Sequence, residues 1–181
     1  MNQIIGITGM SAAGKGTVVE ILKKKGFVHF SVGDFLMEEV IKRGLPQNRD
    51  SMIEVGNDLR SKNGPGYILE QLITKAKLVD KSLIESIRCP GEVAVLKQNG
   101  GRLLAIDAPL ELRYQRAIAR GSSKDQVTLE KFKEQELLES QSSDPNKQNL
   151  IGVRQMADWV INNEGTMEEL MVKIDQWMEK I

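Results

Sequence analysis

Short apolar runs alternate along this chain with longer stretches of helical period. The runs Ile4–Thr8, Phe27–Phe30, Leu83–Ile87, Leu103–Asp107 and Trp159–Asn162 have the length and composition of strands. Between them, the spacing predicts helices over Lys15–Lys25, Asp34–Arg43, Asn48–Ser61, Tyr67–Val79, Pro90–Gln98, Pro109–Arg120, Thr128–Ser140 and Gln148–Ala157. The last segment is the clearest helix. Met167, Leu170, Met171, Ile174, Trp177, Met178 and Ile181 fall at helical spacing behind a Thr166 cap, and Glu168 and Glu169 complement the positive helix start.

Strand and helix in alternation predict an α/β fold of three layers, with five parallel strands between helices. The punctuation Gly44-Leu45-Pro46 and Gly64-Pro65-Gly66 breaks the long strand-free stretch from Ser31 to Lys81 into several helices projecting beyond the sheet. A second polar stretch, Arg120 to Asn149, holds Ser122-Ser123-Lys124-Asp125 and Ser140-Gln141-Ser142-Ser143-Asp144. The expectation is one domain over 1–181, with a core of 1–30, 82–119 and 150–181, a cap at 31–81 and a lid at 120–149, both mobile.

Composition narrows the function classes. The chain has 181 residues, with 25 Lys+Arg against 25 Asp+Glu and no net charge. A protein gripping a nucleic-acid backbone carries a basic excess to displace counterions, so a nucleic-acid partner is not expected. Cys89 is the single cysteine, which excludes an intramolecular disulfide, and no Cys/His spacing suggests zinc. No apolar run approaches the roughly 20 residues that span a bilayer. Nor does the start of the sequence carry a basic leader, so residence in the cytoplasm without a membrane partner is the expectation.

The sharpest chemical signal is Gly9-Met10-Ser11-Ala12-Ala13-Gly14-Lys15-Gly16-Thr17, lying between the first strand and a helix. Strand, glycine-bounded loop and helix form the context in which backbone N–H groups curl around a phosphate. Lys15 adds a full charge for the β- and γ-phosphates, and the small residues let the backbone close on the anion. The donor-side candidates are therefore Gly9, Ser11, Ala12, Ala13, Gly14, Lys15, Gly16 and Thr17. The hydroxyl stands one place later than in the usual loop, because Gly16 follows the lysine and Thr17 comes after it.

The Gly-Lys-Gly-Thr variant resembles that of the adenylate kinase group, and the later motifs resemble the P-loop nucleoside monophosphate kinases in order along nearly the whole chain. That group includes the deoxynucleotide monophosphate and dephospho-CoA kinase branches. Ser31-Val32-Gly33-Asp34-Phe35-Leu36 is similar to the segment that lines the acceptor pocket. Val55-Gly56-Asn57-Asp58-Leu59-Arg60 resembles the segment whose arginine touches the acceptor phosphate. Leu83 to Glu92 resembles a strand, acid and arginine pattern, with Arg88 emerging above the sheet. Guanidinium suits that work because its fork matches phosphate oxygens.

The resemblance implies roles for further residues. Glu85 stands where the family holds an acid near the metal, and its longer reach suits contact through water; Thr17 and Glu85 are the metal-side candidates, with Mg²⁺ as the implied cofactor. Asp34 implies either a base, for a hydroxyl acceptor, or a helix cap. Arg113, Arg116 and Arg120 share one helical face, and Arg116 and Arg120 are expected over the transferring phosphate. The segment Met156 to Thr166 resembles the family's closing strand and adenine-side loop, with Asn163 on the ATP side. His29 and Trp159 are expected in the core.

Taken together, the implied activity is transfer of the ATP γ-phosphate to a nucleoside or deoxynucleoside monophosphate. The catalytic candidates are Lys15, Arg88, Arg116, Arg120 and Asp34; Asp34, Arg60 and Arg88 face the acceptor. Two rivals remain open at this point: phosphorylation of a hydroxyl acceptor, as by dephospho-CoA kinase, and a nucleotide-dependent switch ATPase.

Overall fold

The structure, a computed structural model, describes residues 2–121 and 127–181, and all side chains within them except those of 138 and 139. Residues 122–126, the centre of the expected lid, lie outside the described residues. Five parallel strands form one sheet: β1 (Gln3–Thr8), β2 (Val28–Ser31), β3 (Lys81–Glu85), β4 (Arg102–Asp107) and β5 (Trp159–Asn162), in the order β2-β3-β1-β4-β5. The registers run Ile5↔Leu83, Ile7↔Leu104 and Ile106↔Ile161 across the middle of the sheet.

Side chains alternate across each strand, so the sheet buries two separate cores. On one face Ile5, Ile7, Leu83, Leu104, Ile106 and Ile161 pack against α1 (Lys15–Lys24) and α9 (Met167–Met178), which supply Val18, Leu22, Leu170, Ile174 and Trp177. On the other, Ile4, Ile84 and Leu103 meet α2 (Val32–Lys42), α3 (Arg49–Asn63), α4 (Tyr67–Ala76), α5 (Pro90–Gln98) and α8 (Leu150–Gln155). The remaining helices are α6 (Leu110–Ala119) and α7 (Leu129–Ser140). Each buried aliphatic side chain contributes on the order of 1.5–3 kcal/mol, so the two faces together outweigh any single polar contact.

The three-layer expectation holds, and its local errors have physical causes. β3 ends at Glu85, two residues early, because Ser86 takes φ 72° and the N–H groups of Ser86 and Ile87 both donate to the Ile7 carbonyl. Helix α2 starts at Val32 rather than Asp34, since Ser31 Oγ caps it by accepting from the Asp34 N–H at 3.1 Å. Trp159 is exposed, because β5 is an edge strand with only Ile161 buried; the buried tryptophan is Trp177. His29 sits on the opposite edge strand, half-buried, and its Nε2 is buried without a hydrogen-bond partner, so it is not a satisfied core histidine.

Candidate active site

The order of strand addition reverses beside β1: β2 and β3 lie on one side of it, β4 and β5 on the other. In open parallel sheets this switch point opens a crevice at the carboxyl ends of the strands. The loop 9–14 leaves β1 into that crevice. Gly9 takes φ 146°, Ala12 57° and Gly14 102°, so positive-φ residues recur through the loop and bend it sharply. A Cβ on Gly9 would stand 2.2 Å from the Ile106 carbonyl oxygen, which makes glycine obligatory there. Gly14 then caps α1, and it lines one cavity together with Lys15, Gly16 and Thr17 of the first helical turn.

Lys15 opens α1 and folds back over the loop, where its Nζ donates to the carbonyls of Gly9 at 2.8 Å and Met10 at 2.9 Å. Burial lowers its pKa to about 8, with the positive charges of Arg88, Arg120 and Arg113 adding to the effect and Glu85 opposing it. A cation so poorly solvated and so surrounded by cations gains strongly from an anion. Ala12, Gly14, Lys15, Gly16, Thr17, Glu85, Arg116 and Arg120 line a cavity of about 400 Å³ above it. Of the sequence-derived donor candidates, Gly9, Ser11 and Ala13 shape the loop beneath.

Arg116 reaches the cavity with Nη1 donating to the Asn163 carbonyl at 3.0 Å, and exposed Arg120 lines its rim. Asn163 itself is buried, and its Nδ2 donates to the Ala13 carbonyl at 2.9 Å. Its side chain therefore braces the loop, while its N–H donates to the Asp107 carbonyl at 2.7 Å. Arg113, on the same helical face, is also buried. Its Nε donates to the Ala108 carbonyl at 2.8 Å and its guanidinium pairs with both oxygens of Glu136 on α7. It fastens α7 to the turn before α6.

The metal-side carboxylate candidate, Glu85, accepts from Ser86 Oγ at 3.0 Å, with His29 Nε2 3.5 Å from its second oxygen. Among the described residues no group of three or more His, Cys, Asp or Glu side chains converges on a point. The donor set, one carboxylate and the Thr17 hydroxyl on a cavity shaped for phosphate, fits Mg²⁺ carried by nucleotide oxygens and water rather than a protein cage.

A second cavity, of about 100 Å³, is lined by Gly33, Leu36, Met52, Arg60, Ser86 and Arg88, among others. Arg88 Nη1 donates to the Gln148 side-chain carbonyl at 3.1 Å, and the Arg88 carbonyl accepts from the Asn149 N–H at 2.9 Å. Cys89 Sγ donates to the Pro145 carbonyl, so the segment after α7 is tied to this turn. Arg60 is 2% exposed and donates to Glu92 Oε1 through Nε at 3.1 Å and Nη2 at 2.7 Å. Glu92 Oε2 in turn accepts from the N–H groups of Arg88 and Cys89. Arg60 thus borders the cavity with its charge already met, while Asp34 is exposed and lines neither cavity.

Sequence reading passed over Glu92 and Arg49. Glu92 stands three places after the Cys89 cap, the reciprocal capping position, a signal hidden because cysteine is an unusual cap. Arg49 follows the Asn48 cap of α3 and carried no motif, yet it lines the second cavity. Another cavity, of about 670 Å³, lies at the opposite, amino-terminal end of the sheet around Gln3, Lys77 and Arg102. Its lining includes neither the phosphate-binding loop nor Arg88, Arg116 or Arg120.

Among the described residues no helix is long and apolar enough to cross a membrane. Residues 8–133 match the family model of the AAA domain. A UPF0200 protein of Thermococcus gammatolerans is 32% identical over 186 residues, covering 98% of this chain and 95% of its own. Among solved structures, TT1252 from Thermus thermophilus superposes with a TM-score of 0.65 at 23% identity, over 99% of this chain and 98% of that one. Shikimate kinase from Bacteroides thetaiotaomicron gives 0.60 at 13% identity, over 98% of each chain. With a P-loop kinase-like fold and a relative this similar over almost its full length, the chain belongs to the UPF0200 family of AAA-domain proteins.

Proposed function

We propose that this protein transfers the γ-phosphoryl group of ATP to the phosphate of a nucleoside or deoxynucleoside monophosphate. The observation that carries the reading is the meeting of two cavities at one turn. Glu85 lines the phosphate-loop cavity, and the next residue, Ser86, lines the second, which Arg88 borders. A donor and an acceptor placed in these cavities would approach each other across residues 85–88.

In this reading the loop amides and Lys15 hold the β- and γ-phosphates of ATP, and Arg88 holds the acceptor anion. Arg116 and Arg120 lie over the first cavity, where guanidinium charge stabilises the equatorial oxygens of the transferring group. Mg²⁺ bound to the donor phosphates supplies charge neutralisation, with Thr17 and Glu85 touching its shell. Segment 31–81 serves as the acceptor cap and 120–149 as the lid, which would keep water from competing for the phosphoryl group. A phosphate acceptor is already ionised near neutral pH and needs no base. The position of Asp34 outside both cavities supports it over a hydroxyl acceptor.

A coupled assay of ADP release across ribo- and deoxynucleoside monophosphates and dephospho-CoA tests the proposal. At least one monophosphate is expected to stimulate release, and Lys15→Ala to abolish it in a folded protein. Slow hydrolysis indifferent to every acceptor would sink the reading in favour of a switch ATPase.

A further inference from the structure

Glu85 presents its carboxylate at the phosphate-loop cavity from the very end of β3. Its backbone is fixed there, because the next two N–H groups, of Ser86 and Ile87, donate to the Ile7 carbonyl. The long side chain must still be held before its carboxylate can meet a magnesium water shell in one place. Ser86 Oγ holds Oε1 by donating at 3.0 Å. Oε2 lies 3.5 Å from His29 Nε2.

The sheet explains this meeting. In the parallel pair of β2 and β3, Ser31 stands opposite Glu85 and His29 opposite Leu83. Side chains two apart on a strand share a face, so His29 and Glu85 both project on the side where Leu83 packs with Val18 and Leu22 of α1. His29 Nε2 is buried and has no hydrogen-bond partner among the described residues. A buried polar atom left unmet costs free energy, and a small side-chain movement would bring Glu85 Oε2 to meet it. The imidazole can present an N–H at Nε2 whether neutral or charged, so the contact requires no change of protonation. A carboxylate has about four lone-pair sites, so those left over still face the water of the cavity.

We propose that His29 is a positioning residue for the metal side of the site. When magnesium-nucleotide binds, its Nε2–H donates to Glu85 Oε2, and together with Ser86 Oγ it holds the carboxylate toward the metal's water shell. The inference rests on the phosphotransfer reading and adds to it a residue of the edge strand that does not itself line the phosphate-loop cavity. Its effect therefore falls on the magnesium-dependent part of nucleotide binding.

Calorimetry on the whole protein, with ADP as the probe in the presence and absence of magnesium, tests the brace. Magnesium is expected to strengthen ADP binding by wild type. His29→Phe should cut that gain roughly tenfold, the low end for loss of a group that orients a metal ligand, and leave metal-free ADP binding unchanged. His29→Gln keeps a donor and should recover part of the gain. An equal gain in wild type and His29→Phe, no gain in wild type, or a loss that is the same with and without magnesium overturns the proposal. His29 is the single histidine of the chain, so its imidazole can also be followed by nitrogen NMR in the unmutated protein. Saturating Mg-ADP should slow exchange of the Nε2 proton in wild type and not in Glu85→Ala; the same response in both, or none in wild type, also overturns it. Failure of ADP to bind with or without magnesium would sink the phosphotransfer reading itself, and the brace with it.

Discussion

Asn163 Nδ2 donates to the carbonyl oxygen of Ala13 at 2.9 Å, joining the turn after the last strand to the bend of the phosphate-binding loop. The bond is buried, and its two residues stand 150 positions apart. Removing it with Asn163→Ala leaves a buried carbonyl unmet, at a cost of about 1–3 kcal/mol. Urea unfolding should report that loss, and calorimetry should show weaker binding of Mg-ADP through the loosened loop. Unchanged stability and affinity would mean that the loop holds its shape unaided.

Gly14→Ala should be more damaging. The residue has φ 102°, and its new Cβ would lie 2.2 Å from Asn163 Nδ2. Backbone strain alone is worth about 1–3 kcal/mol, and displacement of Asn163 adds to it. At Gly16, two residues on, a Cβ would meet nothing within 4 Å. The melting temperature of Gly14→Ala should therefore fall well below that of Gly16→Ala; similar values for the two would refute the geometry.

The Arg60–Glu92 pair yields a third expectation. Both side chains are buried, and Glu92 also holds the N–H groups of Arg88 and Cys89. Glu92→Ala leaves an uncompensated guanidinium and two orphaned amides, so a loss of about 3–5 kcal/mol should appear in urea unfolding. Replacing both partners, Arg60→Met with Glu92→Leu, removes the stranded charge and should recover part of that loss. A cost below about 1 kcal/mol for Glu92→Ala would show the site open to water.

The lowered pKa of Lys15 makes a prediction for pH. Below about 8 the free protein already carries the cation, so Mg-ADP affinity should be flat there. Above it, binding must draw a proton back onto Lys15, so affinity should fall by up to about tenfold per pH unit. Titrations at pH 8.5–9 (roughly one unit above the transition) in buffers of different ionisation enthalpy should reveal proton uptake. The linkage to folding has the opposite sense. Between about 8 and 10.5 the unfolded chain binds the extra proton, so this residue's contribution to stability rises with pH. Absence of proton uptake would contradict the burial of Lys15.

Much of this was legible in the sequence because it was local. The apolar run before Gly9 and the helical period after Lys15 fix β1, the loop and α1 without distant partners. What escaped depended on contacts across the sheet. The positive φ of Ser86, which cuts β3 short, comes from two amides sharing the Ile7 carbonyl. Burial of Arg60 depends on Glu92, 32 residues later, and the brace at Ala13 on a residue near the other end of the chain. Trp159 looked like core by composition, and its exposure follows from the place of β5 at an edge, which no local pattern reveals. Arg49 could be singled out only once α3 and the segment after α7 had been brought together.

The strand that begins the chain occupies the middle of the sheet, and this order has a cost in assembly. Gln3 finds its partner at Lys81 and Ile5 finds its other partner at Arg102, so during synthesis β1 must wait for about half the polypeptide before either flank can zip to it. Until then its run of isoleucines is exposed to whatever else is nearby, and early intermediates should depend on chaperones more than the finished protein does.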